Sequence, residues 1–201
     1  MQLRVAVIIM GLLAVAALVA SRMWPLVSEV HVNGNEHYSA DQVRWVANVA
    51  VGDPLLWINR WSVSGLEADP WIAWASVVRH WPDTVAITVQ ERKPLLRTGD
   101  IAWSADAVAL PGLPEEELAL LPRLEGWGEP RVSEALRVLE LMGSAGLEVI
   151  SYSPDGFDIT VQGATIFTPS VAALEAQWAA VKGRLGSRLA VYPWGVSESN
   201  E

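Results

Sequence analysis

LEADPWIAWASVVRHWPDTVAITVQERKP, residues 66–94, is the stretch that decides the fold of this chain. In its second half Val85, Ile87 and Val89 fall on one face and Thr84, Ala86, Thr88 and Gln90 on the other, which is the period of a half-buried strand. Its first half, residues 72–81, is apolar on both faces apart from Ser76, Arg79 and His80. A strand is predicted there too, but the period leaves its buried face open. Trp81-Pro82-Asp83-Thr84 reads as a reverse turn, because the Pro82 ring presets φ at the second turn position and needs no N–H partner, and Asp83 suits the bend. Pro70 stops whatever precedes this hairpin and Pro94 closes it. The unit reads as a scaffold, with no catalytic constellation in it.

Working outward to the N-terminus, residues 27–32 are a strand candidate, and Asn33-Gly34-Asn35 is a turn whose Gly and Asn tolerate positive φ. Ser39 with Gln42 three residues on forms a capping box, and Val43, Val46 and Ala50 follow at helical spacing until Gly52-Asp53-Pro54 breaks the pattern. Leu55, Trp61 and Leu66 around a polar Asn59-Arg60 suggest a short second helix over 55–68. The order is strand, helix, helix, strand, strand: a three-stranded sheet with two helices on one face, in about 70 residues.

Ahead of this unit an uncharged run covers residues 5–21 between Arg4 and Arg22. As a helix it spans about 25 Å at 1.5 Å per residue, enough to cross a bilayer if the arginines extend to the two interfaces. Trp24 is placed as an interfacial aromatic. Small residues at Ala14, Ala16, Ala17 and Ala20 also suit a cleaved signal peptide. On either reading, residues 25–201 are exported.

The chain has 201 residues, 51% of them hydrophobic, with a net charge of -9 and no cysteine. That supports a real core and argues against nucleic acid as partner, since phosphate binding needs clustered Lys and Arg. It also excludes disulfides, thiol nucleophiles and thiolate metal sites. Glu115, Glu116 and Glu117 read as a solvated acidic loop. His31, His37 and His80 are too scattered for a metal motif, and no phosphate loop or nucleophile elbow is present. Asp53 and Asp69 each precede a proline and read as turn residues, while Asp41 and Glu91 have no shared catalytic setting. No catalytic, cofactor-binding or metal residue is assigned. Of the eleven Trp, Trp45, Trp61 and Trp178 fall on helix stripes as core filler, whereas Trp74, Trp81 and Trp194 are candidates for exposure at a partner site.

Several strings together carry a resemblance. Val30-x-Val32-x-Gly34-Asn35, Gly52-Asp53-Pro54-Leu55, Pro70-Trp71, Ala75-x-Val77-x-Arg79-x-Trp81-Pro82-x-Thr84 and Glu91-Arg92-x-Pro94 occur in that order, and the ordered set resembles the FtsQ-type POTRA domain of the FtsQ/DivIB family of bacterial cell-division proteins. The resemblance implies a retained signal anchor in front of a βααββ POTRA domain. Leu121-Pro122-Arg123-Leu124-Glu125-Gly126 resembles a string found after that domain in the same family.

Beyond Pro94 short strands are expected around Trp103, then a helix over 132–145 with Val132, Leu136, Leu139 and Met142 on one stripe and Gly143 or Gly146 near its end. Strands follow at 147–152, 157–162 and 165–167. Ser170 caps a last helix to about Leu185, with Val171, Leu174, Trp178, Val181 and Leu185 on its stripe, and a terminal strand runs over 188–192. The fold class is α+β: an N-terminal transmembrane helix, a small βααββ POTRA domain, then a larger mixed β domain with flanking helices. The expected divisions are a cytoplasmic tail 1–4, a transmembrane anchor 5–24, a POTRA domain 25–94, a β domain 95–193 and a C-terminal tail 194–201.

The resemblance implies a single-pass type II protein of the inner (cytoplasmic) membrane at the septum, N-terminus in and bulk outside the cytoplasm. Its implied role is a non-enzymatic divisome scaffold linking early and late division proteins, with FtsB-like and FtsL-like coiled-coil proteins as partners and no small-molecule substrate. Leu189, Ala190, Val191, Tyr192 and Trp194 are the candidate partner-binding residues, because a terminal strand at a sheet edge leaves N–H and C=O groups for an added strand. The POTRA sheet edge or the 55–68 segment is the candidate for recruiting further members. Alternatives from other classes are an outer-membrane translocation protein, which needs several POTRA units and a barrel, and an exported cell-wall-binding protein or glycan-acting enzyme, whose sign is a carboxylate pair ~5–10 Å apart in a cleft.

Overall fold

The computed structural model describes residues 2–143 and 146–199. It opens on α1 (Gln2–Met23), within which Val5–Met23 has a mean hydropathy of 2.4 and nothing buried inside the molecule. A helix that is apolar all round and buries none of that surface inside the molecule is stable in lipid rather than in water. Its 22 residues reach about 33 Å, long enough to cross a bilayer. The helix begins at Gln2, inside the stretch expected as a tail; Met1 lies outside the described residues.

The chain divides into two units, Met1–Arg92 and Lys93–Glu201. In the first, after α1, come β1 (Glu29–Asn33), α2 (Ala40–Val46), two 3-10 turns (Leu55–Trp57 and Arg60–Val63), α3 (Ser64–Glu67), β2 (Ile72–His80) and β3 (Thr84–Glu91). The sheet order is β1-β3-β2. β3 lies at its centre, parallel to β1 (Val30 opposite Val85, Val32 opposite Ile87) and antiparallel to β2 (Val77 opposite Ile87, His80 opposite Thr84). As the alternation predicts, Val85, Ile87 and Val89 are buried. The face that β2 buries is set by a bulge between Ile72 and Trp74. The extra residue lets Ile72 and Ala75, three apart, both point inward, and turns Trp74 out to 49% exposure.

Ser39 caps α2 as expected: its hydroxyl accepts the Gln42 N–H, and the Gln42 side chain accepts the Ser39 N–H. α2 stops at Val46 rather than running to Ala50, since Asn48 takes a positive φ of 50°. Ala47 and Val49 fill the core in place of Ala50, which is exposed. The expected second helix over 55–68 is also broken. Asn59 is extended (φ -150°, ψ -177°) and its side chain accepts the Trp61 N–H, so it restarts the chain as a cap. Two 3-10 turns and the single turn α3 result, with Leu55, Val63 and Leu66 buried on one core with Val43 and Ile87.

The second unit is a nine-stranded sheet, built from β4 (Pro94–Thr98), β5 (Ile101–Ser104), β6 (Ala109–Leu110), β7 (Arg123–Gly126), β8 (Leu147–Ser153), β9 (Gly156–Val161), β10 (Ala164–Thr168), β11 (Arg188–Tyr192) and β12 (Gly195–Ser199), in the order β12-β11-β10-β9-β8-β7-β4-β5-β6. Residues 115–117, expected as loop, form the exposed turn α4 (Glu115–Leu118) with Leu118 tucked under it. Parallel neighbours need a long crossover. α5 (Val132–Met142) supplies it between the parallel pair β7 and β8, and α6 (Val171–Val181) between β10 and β11. Both helices bury their apolar stripes in one core, with Ile150, Ile159 and Ile166 from the sheet. α5 ends at Gly143, at φ 57°; Ala145, expected within it, lies outside the described residues. Ser170 accepts the Ala173 N–H at the start of α6, which stops at Val181 while Leu185 still packs on the core.

Candidate functional site

The terminal strand is the first candidate, and the structure moves its edge. β11 is not terminal: it pairs with β10 on one side (Ile166 opposite Leu189, Phe167 opposite Ala190) and along its whole length with β12 on the other. The residues assigned to a C-terminal tail double back through a turn at Pro193 and Trp194 to make β12, except for Asn200 and Glu201, which lie outside the described residues. Among the described residues, the free backbone edge at this end of the sheet therefore belongs to β12, which has β11 as its neighbour on one side. Leu189 and Val191 are buried in the core, so a charge placed at Val191 reports on folding rather than on binding.

Ala190 and Tyr192 project to the opposite face. There the Tyr192 ring lies 6.1 Å from Phe167 and stacks on Trp194 at 5.1 Å and 7°. Trp194 is 82% exposed. Beside this pair a groove of about 340 Å³ is lined by Asp158, Thr165, Phe167, Arg188, Ala190 and Ser197. An open strand edge next to a stacked aromatic pair and a shallow groove has what strand addition requires: main-chain donors and acceptors for affinity, and side-chain sites for selection.

The motif residues of the first unit do something else. The Glu91 carboxylate accepts the N–H groups of Glu36, His37 and Tyr38, and the Arg92 guanidinium donates to the carbonyls of Pro70 and Ile72. Asp69 accepts the Tyr38 hydroxyl and the Trp71 N–H, and Trp71 is buried with His37 stacked on it at 3.8 Å. These are latches across the domain. Burial, then the hydrogen bond to Asp69, then the charges of Asp69 and Glu91 push the Tyr38 phenol up to about 12. Asp41 forms an exposed pair with Arg44 at 2.6 Å. A cavity of about 800 Å³ between α5 and the β5–β6 turn is lined by Leu95, Ala107, Leu136 and Leu139, while the Nη2 of its Arg137 donates to both carboxylate oxygens of Glu175. Among the described residues, no group of three or more His, Asp or Glu could hold a metal ion.

The tryptophans depart from expectation. Trp45 and Trp61 are 82% and 73% exposed rather than core filler, because α2 is short and the 55–68 segment turns its Trp outward. Trp178 does pack against the core, and Trp74, Trp81 and Trp194 are exposed as expected. Trp127 is exposed too; its place between two glycines was the available sequence signal.

Comparison with known proteins agrees with this architecture. Residues 26–92 match the FtsQ-type POTRA domain family. Proteins described as cell division protein FtsQ are similar to the chain in Cellvibrio japonicus (32% identical over 97 residues, 45% of this chain and 29% of that protein), Hahella chejuensis (27% over 184 residues, 79% and 64%) and Streptomyces griseus (36% over 75 residues, 36% of each). The matched region thus covers less than two thirds of each of these relatives.

Proposed function

We propose that the chain is a member of the FtsQ/DivIB family of bacterial cell-division proteins, as its FtsQ-type POTRA match over residues 26–92 and its similarity to FtsQ proteins support, and that it acts in cell division as a non-enzymatic scaffold at the septum. It links early and late division proteins through contacts outside the cytoplasm. α1 fits a single-pass membrane protein; in this reading it sits in the inner membrane with its N-terminus inside. FtsB-like and FtsL-like coiled-coil proteins are the partners. The observation that carries the reading is the open β12 edge beside the exposed Tyr192–Trp194 stack, where an extended partner segment adds a tenth strand and sets an apolar side chain against the rings. The POTRA sheet ends in β1 and β2, each paired on one side only among the described residues, and these edges are the sites for further division proteins.

The test is co-purification of FtsB-like and FtsL-like proteins with the full chain in detergent, compared with Trp194→Ala and Tyr192→Ala. Truncating a central aromatic anchor weakens retention roughly tenfold or more, with the thermal midpoint unchanged. Undiminished retention by both variants places the docking site elsewhere.

A further inference from the structure

The membrane-proximal end of the first unit is assembled from three segments. Leu26 bridges to Pro54, the Leu55 N–H donates to the Pro25 carbonyl, and the Ser28 N–H donates to the Asp83 carbonyl. Arg79 donates to the Leu56 carbonyl at 3.0 Å. This end is tied directly to α1: the Trp57 indole N–H donates to Ser21 Oγ at 3.3 Å, and the Arg22 guanidinium lies 4.4 Å from the Trp57 ring centroid. A second cation–ring pair, Arg60 over Trp61, follows at 5.4 Å. Leu56, Trp57 and Trp61 are exposed at 41%, 43% and 73%.

Ser21 and Arg22 are where the uncharged run of α1 ends. When α1 spans the bilayer they lie at its boundary, and whatever is bonded to them lies at the same depth. Trp and Arg are the residues that favour this layer, with rings at the headgroup level and guanidinium groups on phosphate. We infer that residues 56–61 form a membrane-docking loop that seats Trp57 and Trp61 among the headgroups of the bilayer α1 crosses, with Arg22 and Arg60 on anionic phospholipid. The carboxylate of Asp53, which could repel such lipid, accepts the Ala50 N–H at 2.7 Å. The exposed aromatics of this loop thereby have a partner in lipid, and the POTRA domain is held against the membrane by a second contact besides its covalent link. The inference rests on α1 spanning the membrane.

The chain has no cysteine, so Leu12→Cys, Leu56→Cys and Glu36→Cys each give a unique site for a nitroxide. Glu36 lies beyond the opposite end of β1 from Ser28, and the strand between them spans roughly 17 Å. The three full-length chains are reconstituted in phosphatidylcholine vesicles with and without phosphatidylglycerol, and accessibility to oxygen is compared with accessibility to a water-soluble nickel chelate. The expected result is a label at 12 buried in lipid, a label at 36 in water, and a label at 56 shifted toward lipid, further so with phosphatidylglycerol and less so after Arg60→Ala. A label at 56 as accessible to the chelate as that at 36, with 12 buried, overturns this inference alone. A water-accessible label at 12 overturns the membrane span and this inference together.

Discussion

Glu91 accepts the backbone N–H of Tyr38 at 3.1 Å across 53 residues of chain, and its other carboxylate oxygen takes the N–H groups of Glu36 and His37. One carboxylate at the end of the central strand thus fixes the loop that leads from β1 into α2.

Replacing that carboxylate with Glu91→Gln removes the charge and sets an amide donor against one of three backbone donors. Leaving a partly buried group unpaired costs about 1–3 kcal/mol, read as a lower urea midpoint with unchanged slope. An unaltered midpoint means the latch adds nothing to stability.

Tyr38 gives a pH signature. Its phenol titrates above the ordinary 10.0, at about 12, chiefly because burial disfavours the phenolate. A proton held more tightly in the folded state stabilises it fully below pH 10, and the stabilisation is lost as pH rises through 12. Wild-type stability should therefore fall more steeply over that window than that of Tyr38→Phe, and ultraviolet titration of the folded chain should show one late phenolate that the variant lacks. Coincident stability curves would remove Tyr38 as the cause.

Gly34 turns out of β1 at a φ of +83°, and a Cβ there runs into the Val89 carbonyl oxygen. Gly34→Ala is expected to cost more than about 1 kcal/mol, or roughly 4–8 °C per kcal/mol in a domain of this size. A thermal midpoint equal to wild type would show that the turn relaxes without cost.

The tryptophans divide by burial. Trp71→Ala empties a site that is 3% exposed and should cost about 3–5 kcal/mol. Trp45→Ala, at 82% exposure, should stay within about 0.5 kcal/mol. Denaturation of the two variants side by side checks this, and similar losses in both would mean that Trp45 is covered in solution.

The parts of this protein legible in the sequence are those decided within a few residues. The alternation of Val85, Ile87 and Val89, the Ser39–Gln42 capping box, the Ser170 cap and the glycine at the end of α5 each follow from the period of one element or from a hydrogen bond three residues long. The length and apolarity of α1 are likewise properties of a single segment. Other features were settled by partners far away in the chain. The inward face of β2 depends on a bulge against β3, the 55–68 segment on how its Leu55, Val63 and Leu66 reach the sheet around the Asn59 break, and the exposure of Trp45 and Trp61 on which surfaces found a neighbour. The candidate site shows the division most sharply. Leu189 to Tyr192 was readable as a strand from its own residues, but a strand is an edge only by the absence of a neighbour, and β12 folding back beside it took that edge away. Periodicity reports which residues share a face; pairing in three dimensions alone decides which strand has none beside it.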